Sequence, residues 1–217
     1  MKILLASLAV VLVAGAGAAR AAAQASPSAA DLARLVQQHY DGLRDFQATF
    51  TQVYRGGFTP PQPEQHGTMR IKRPGRMRWS YSGSRPQEIW SDGVRLYNYQ
   101  AASRSVQESA LPSDADASPT MLFLLDRGNL VRDFTASLGP DQPADAWRLT
   151  LVPRRPDPDA TSLVVTVERT SLKLRGLETL DSQGGTNTIT FSAYKENVGL
   201  SDKDLSFVWP AGTVIIR

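Results

Sequence analysis

The chain has 217 residues, of which 24 are basic, 21 acidic and none cysteine, with 41% hydrophobic content. The missing cysteine excludes disulfides and any N-terminal Cys acylation. Removing Lys2 and Arg20 with a leader leaves 22 basic against 21 acidic residues, a net charge of +1, so charge alone does not point to nucleic acid.

The opening MKILLASLAVVLVAGAGAARAAAQAS has one Lys, an apolar run to Ala19 and an A-x-A-like site at Ala21–Ala23. It reads as an export signal over 1–23, cleaved after Ala23 or, as the alternative, Ala25. That places 24–217 beyond the inner membrane, in the periplasm, as one soluble domain of 194 residues, enough for a sizeable core.

Leu32, Leu35, Val36, His39, Tyr40 and Leu43 recur at helical spacing after a Ser28 cap, and predict one amphipathic helix. Phe46, Ala48 and Phe50 then alternate with polar residues in a strand to about Tyr54, followed by a polar loop over 55–65. In Gly67 to Tyr81 two alternating runs meet at Pro74-Gly75, a turn signal. Met69, Ile71, Met77, Trp79 and Tyr81 share an apolar face, while Arg70, Lys72, Arg76 and Arg78 share a cationic one. Five basic residues within 70–78 fit the solvated face of a half-buried sheet. Arg73 ends the first run and stands outside the alternation.

A second hairpin is expected over Gln87 to Gln100, turning at Ser91-Asp92-Gly93, and a weaker strand over Ser105 to Leu111. The segment 118–138 opens with Ser118 as cap and Pro119 at the first helical position, then runs apolar from Met121 to Leu125. It predicts a helical pair whose first member must be covered on more than one side. Alternation resumes at Trp147 to Leu151, Leu163 to Glu168, Leu174 to Leu180, Thr186 to Lys195 and Val214 to Ile216. The expectation is an α+β fold of ten or eleven mainly antiparallel strands, curved over helices.

Motifs for catalysis are missing: there is no Gly-x-Ser-x-Gly, no His-Glu-x-x-His and no Walker loop. His39 lies on the first helix and His66 in a loop, without a second ligand at metal spacing. Asp157-x-Asp159 lacks the glycine and glutamate of a calcium loop and reads as solvated. Neither an enzyme nor a cofactor site is expected.

Several of these pieces, in order, resemble the outer-membrane lipoprotein carrier (LolA) family of bacterial envelope chaperones. They are Asp45 to Gln52, the Gly67 to Tyr81 stretch with Lys72-Arg73-Pro74 and Trp79, Ser91-Asp92-Gly93 with Leu96 to Tyr99, the 118–125 segment, Thr188 to Ser192, and Phe207 to Gly212. The resemblance implies an incomplete, unclosed β-barrel with a helical lid over an apolar cavity. Its implied role is to carry acylated lipoproteins from an inner-membrane, ABC-type release complex to an outer-membrane acceptor, as a monomer that binds no nucleic acid. The alternative is a lipid- or peptide-binding sensor of the same fold. The family residue tied to lid control and transfer matches Arg73, and Met77 and Trp79 fall where partner or cargo contact is implied. Met77 departs from the phenylalanine many members carry there. The expected cavity and lid lining is Phe46, Phe50, Met69, Ile71, Trp90, Leu96, Ile189 and Phe191 with Met121, Leu122 and Leu125 from the lid.

Overall fold

The computed structural model describes residues 26–57, 62–114, 117, 119–124 and 127–217, with the backbone alone at 121 and 124. The expected export signal, the Ser118 cap and Leu125 lie outside these residues, as does the Met121 side chain.

Helix α1 (Ala29–Asp41) begins where Ser28 Oγ accepts a hydrogen bond from Asp31 N at 3.1 Å. It buries Leu32, Val36 and Tyr40 at the spacing of one helical face. Then come β1 (Asp45–Gly56), β2 (Gln65–Lys72), β3 (Arg76–Ser82), β4 (Gln87–Asp92), β5 (Arg95–Gln100) and β6 (Ser105–Ala110). The short helices α2 (Pro119–Leu124) and α3 (Leu130–Asp133) form the excursion, followed by β7 (Phe134–Leu138), β8 (Ala146–Pro153), β9 (Ser162–Glu168), β10 (Leu174–Leu180) and β11 (Gly185–Glu196). The chain closes with α4 (Asp202–Leu205) and β12 (Val214–Ile216).

Among the described residues twelve strands make one sheet in the order β12-β6-β5-β4-β3-β2-β1-β11-β10-β9-β8-β7. Its two end strands do not pair with each other, so the sheet is open, and every pairing but the parallel β12–β6 contact is antiparallel. Strand β1 sits at its centre, paired to β2 on one side and β11 on the other. The strand count exceeds the expected ten or eleven because β7 was hidden at the end of the helical segment. A four-residue α3 stops at Asp133, and Phe134, Ala136 and Leu138 then alternate with polar residues in the extended conformation. His66 belongs to β2, opposite Thr51, rather than to a loop.

One face of the sheet holds the core. Phe46, Ala48 and Phe50 from β1, Met69 and Ile71 from β2, and Met77 and Trp79 from β3 pack with the apolar stripe of α1 and with Leu149, Leu163 and Val165 from the second half. Burying each large side chain of this kind contributes about 1.5–3 kcal/mol. The expected apolar face of β2–β3 is therefore the inner one, with Met69 opposite Trp79 and Ile71 opposite Met77.

On the other face Arg70 lies opposite Arg78 and Lys72 opposite Arg76, like charges that would destabilise the pairing if left unanswered. Acidic groups answer them. Asp202 Oδ1 of α4 sits 2.8 Å from both Lys72 Nζ and Arg76 Nη1, and Glu88 Oε2 accepts from Arg78 Nε at 2.9 Å. The hydrogen bonds from Lys72 and Arg76 hold the Asp202 carboxyl below its ordinary range. Beyond α4 the chain crosses the outer face, where Phe207 and Trp209 pack on a second cluster built around Trp90, Tyr99 and Val106. The loop leading to α4 is pinned by Asp45, 5% exposed, whose carboxylate accepts from Val198 N at 2.7 Å and Gly199 N at 3.1 Å. The capped turn of α4, with Asp204 Oδ2 accepting from Ser201 N and Oγ, was not expected from the sequence.

Candidate functional site: an apolar cavity under the connecting helices

Where the inner face meets α1 and the α2–α3 connection, the packing leaves a cavity of about 40 Å³. Phe46, Met69, Ile71 and Trp79 contribute its sheet wall, Leu174 and Leu177 of β10 a second wall, and Tyr40, Phe123 and Leu130 its helical side. The aromatic rings pack closely: Phe50 is tilted against Trp79 at 5.1 Å and meets Tyr81 edge-on at 4.9 Å, and Tyr40 meets Phe46 edge-on at 5.8 Å. Tyr81 donates to Gln52 Oε1 at 2.9 Å, and burial pushes its hydroxyl up to about 12, so it is a neutral donor at physiological pH.

The polar side chains lining the cavity are those of Arg73 and Gln37. Arg73 continues the β1–β2 ladder by one step, its N donating to Arg44 O at 2.9 Å, before the chain turns through a cis Arg73–Pro74 peptide and Gly75 at φ +66°. Its side chain lines the cavity together with Gln37 and approaches Asp41 Oδ1 of α1 at 3.6 Å. The lining thus sets an apolar wall beside a guanidinium whose N–H groups can donate to a polar headgroup or a backbone carbonyl.

The α2–α3 connection is fastened at several points. Asp157 Oδ2 accepts from Thr120 N at 3.0 Å, which caps the first turn of α2 from a distant loop, while its Oδ1 accepts from Asp159 N at 2.9 Å. The Asp157-x-Asp159 loop read as solvated thus has a structural partner. Arg127 donates to Pro112 O at 2.8 Å, and Arg155 donates to Ala117 O at 2.7 Å, so both arginines hold the approach to α2. The turn between α2 and α3 closes tightly: a Cβ on Gly128 would lie 2.8 Å from Phe123 N, which only glycine avoids.

Of the expected lining, Phe46, Met69, Ile71 and Trp79 border the cavity. Phe50, Met77, Ile189 and Phe191 are buried in the same cluster behind it, and Leu96 packs against that cluster from its edge. Leu122 is fully buried in α2. Trp90 requires correction. It sits on the outer face, stacked on Tyr97 at 4.7 Å, because Ile89 is the β4 residue opposite Trp79 and takes the inner position. Phe123, Leu130, Leu174, Leu177, Tyr40 and Gln37 were not anticipated as lining. Helical spacing marks Tyr40 and strand alternation marks Leu174, whereas nothing within the unbroken apolar run distinguishes Phe123 from its neighbours.

Among the described residues no group of three or more His, Cys, Asp or Glu side chains is arranged to hold a metal ion. No helix among them is long and apolar enough to cross a membrane.

These features define a class: an open, mostly antiparallel sheet with few helices, whose buried apolar face borders the candidate ligand site. Residues 41–208 match the family of the outer membrane lipoprotein carrier protein LolA, and the chain belongs to that family. It is 28% identical over 177 residues to the outer-membrane lipoprotein carrier protein of Methylococcus capsulatus, covering 82% of this chain and 83% of that one. The corresponding protein of Cupriavidus taiwanensis is 25% identical over 210 residues, covering 95% and 98%. Among solved structures, an uncharacterized conserved protein from Thermus thermophilus superposes with a TM-score of 0.56 at 11% identity, over 85% of this chain and 98% of that chain, a likeness of fold alone.

Proposed function

We propose that residues 24–217 form a periplasmic, monomeric carrier that takes acylated lipoproteins from an inner-membrane ABC-type release complex and yields them to an outer-membrane acceptor. The observation that carries this reading is the apolar cavity between the inner sheet face and the α2–α3 connection, with Arg73 in its lining. Each methylene withdrawn from water contributes about 0.8 kcal/mol, so acyl chains crossing an aqueous compartment need such a surface. The relatives named as lipoprotein carriers support the choice of cargo.

The volume bears on mechanism. Sites for small molecules run to about 300–1,000 Å³, so 40 Å³ holds no acyl chain. On this reading α2 and α3 act as a lid that lifts to admit cargo. With no nucleotide motif in the sequence, loading and unloading are driven by the partners' differential affinities. Arg73 serves as the latch that biases the lid, Trp79 belongs to the wall against which cargo packs, and Met77 supports that wall from behind.

Titrating the purified chain with an environment-sensitive acyl probe tests the reading. Saturable binding of one apolar ligand is expected, competed by triacylated lipoprotein and unaccompanied by release of free fatty acid. Linear, non-saturating uptake rejects a built acyl site, and fatty acid release points to a hydrolase.

A further inference from the structure

One side chain touches both the latch and the lid. Gln37, half-buried on α1, accepts from Leu130 N through Oε1 at 2.8 Å and donates through Nε2 to Asp41 Oδ1 at 2.8 Å. That same carboxylate oxygen is the one Arg73 Nη1 approaches at 3.6 Å. The orientation of the amide is fixed by its partners, since a backbone N–H only donates and a carboxylate only accepts.

The bond to Leu130 has a particular place in α3. Asn129 Oδ1 caps that helix by accepting from Val131 N at 3.0 Å and Arg132 N at 2.8 Å. The first helical N–H, that of Leu130, is left for an outside acceptor, and Gln37 supplies it. This bond joins α3 to α1. Because α3 is joined to α2 through the close Gly128 turn, what holds α3 also holds Phe123 over the cavity.

We infer that Gln37 is a positioning residue that couples Arg73 to the lid through Asp41. The functional meaning of this coupling rests on the carrier reading above, although its test does not. Asp41 is on the exposed side of α1, and its carboxylate is held in place by Gln37 and drawn toward Arg73. When Arg73 engages another group, such as the polar end of a cargo, Asp41 loses that restraint. The Gln37 amide then loses its fixed orientation, and the bond to Leu130 N weakens. Occupancy of the cavity is thereby reported to the lid without any movement of the sheet.

The absence of cysteine allows two labels to be placed without background reactivity. Cysteines introduced at Val94, 72% exposed on the β4–β5 turn, and Val131, 43% exposed on α3, carry spin labels that report the distance from α3 to the sheet. Their distance distribution is read in the ligand-free chain. Arg73→Leu and Gln37→Leu are each expected to raise the ratio of long to short distances about fivefold, a modest coupling. The double variant is expected to go no further than the larger single change. Asp41→Asn is expected to reproduce Arg73→Leu. Gln37→Glu, which keeps the acceptor and loses the donor, is expected to retain the short distance and abolish the response to Arg73→Leu. A parent-like distribution in Gln37→Leu, or additive effects in the double variant, overturns the coupling. Failure of the parent to bind acyl probes strikes the carrier reading instead and leaves the label result standing.

Discussion

Replacing Gly67 by alanine is expected to destabilise the protein by about 3 kcal/mol, the upper part of the range for overpacking a core. Gly67 lies in β2 between Phe50 on β1 and Tyr81 on β3. A Cβ there would lie 2.2 Å from Ser80 O and 2.6 Å from the Phe50 ring. The ring can turn only by leaving Trp79 and Tyr81, and the Ser80 carbonyl belongs to the sheet backbone. The glycine is the space into which Phe50 folds. Chemical denaturation of parent and variant checks the expectation: an unchanged midpoint would show that the β1–β3 wall is loosely packed and that the aromatic floor of the cavity is not set by this residue.

The second large effect is expected at the lid. Phe123→Asp should weaken acyl-probe binding by more than about tenfold while leaving the fold intact. Phe123 is only partly buried and borders the cavity, whereas Leu122 beside it is fully buried. Withdrawing a phenylalanine from water is worth about 1.5–3 kcal/mol, which the closed lid gains and a charged side chain forfeits. An aspartate under the lid also meets hydrocarbon when cargo is bound, at a cost a carboxylate avoids by staying in water. Leu122→Asp does not separate these effects, since it buries a charge in every state. Probe affinity and melting temperature measured together decide the matter: parent-like affinity in a folded Phe123→Asp variant would remove α2 from the binding site.

The two faces of β2–β3 were legible in the sequence because strict alternation over Thr68 to Lys72 and Arg76 to Tyr81 leaves one parity for each residue. The central sheet and α1 followed from the same kind of periodicity. Trp90 was not legible, because Ile89 and Trp90 are adjacent and apolar, and β4 alone does not say which faces inward. Only its register against β3, Ile89 opposite Trp79, decides it. The outer cluster of Trp90, Tyr99 and Val106 depends on the return of Phe207 and Trp209 from the end of the chain, a contact between distant segments that no local pattern encodes.

At the candidate site, Arg73 stood out by its position at the end of an alternating run, and its side chain is among those that line the cavity. Its nearby charge on α1, Asp41, did not stand out, nor did Gln37, since both fall on the polar side of an amphipathic helix where solvated residues are the rule. The run of apolar residues in α2 announced that it must be covered, and had no period from which to choose Phe123. Asp157 was read within its own loop, although its principal bond reaches Thr120 in another segment.

The central claim is that this cavity carries acyl chains and that Arg73 governs their release. Transfer of bound triacylated lipoprotein to acceptor-bearing membranes, measured for the parent and for Arg73→Leu, tests it most directly. Arg73 follows Met69 and Ile71 on the inner face one step past the end of β2, and its half-buried side chain is not part of the sheet's apolar packing, so the variant is expected to melt close to the parent. The parent should surrender its cargo, while Arg73→Leu should load normally and retain most of it, because a cavity without its latch loses the drive to close and expel hydrocarbon. Arg73→Lys should recover part of the transfer, since an ammonium lacks the planar fork. Normal transfer by a folded Arg73→Leu variant, or a large loss of stability in it, would contradict the account and leave Arg73 as a structural charge at the end of β2.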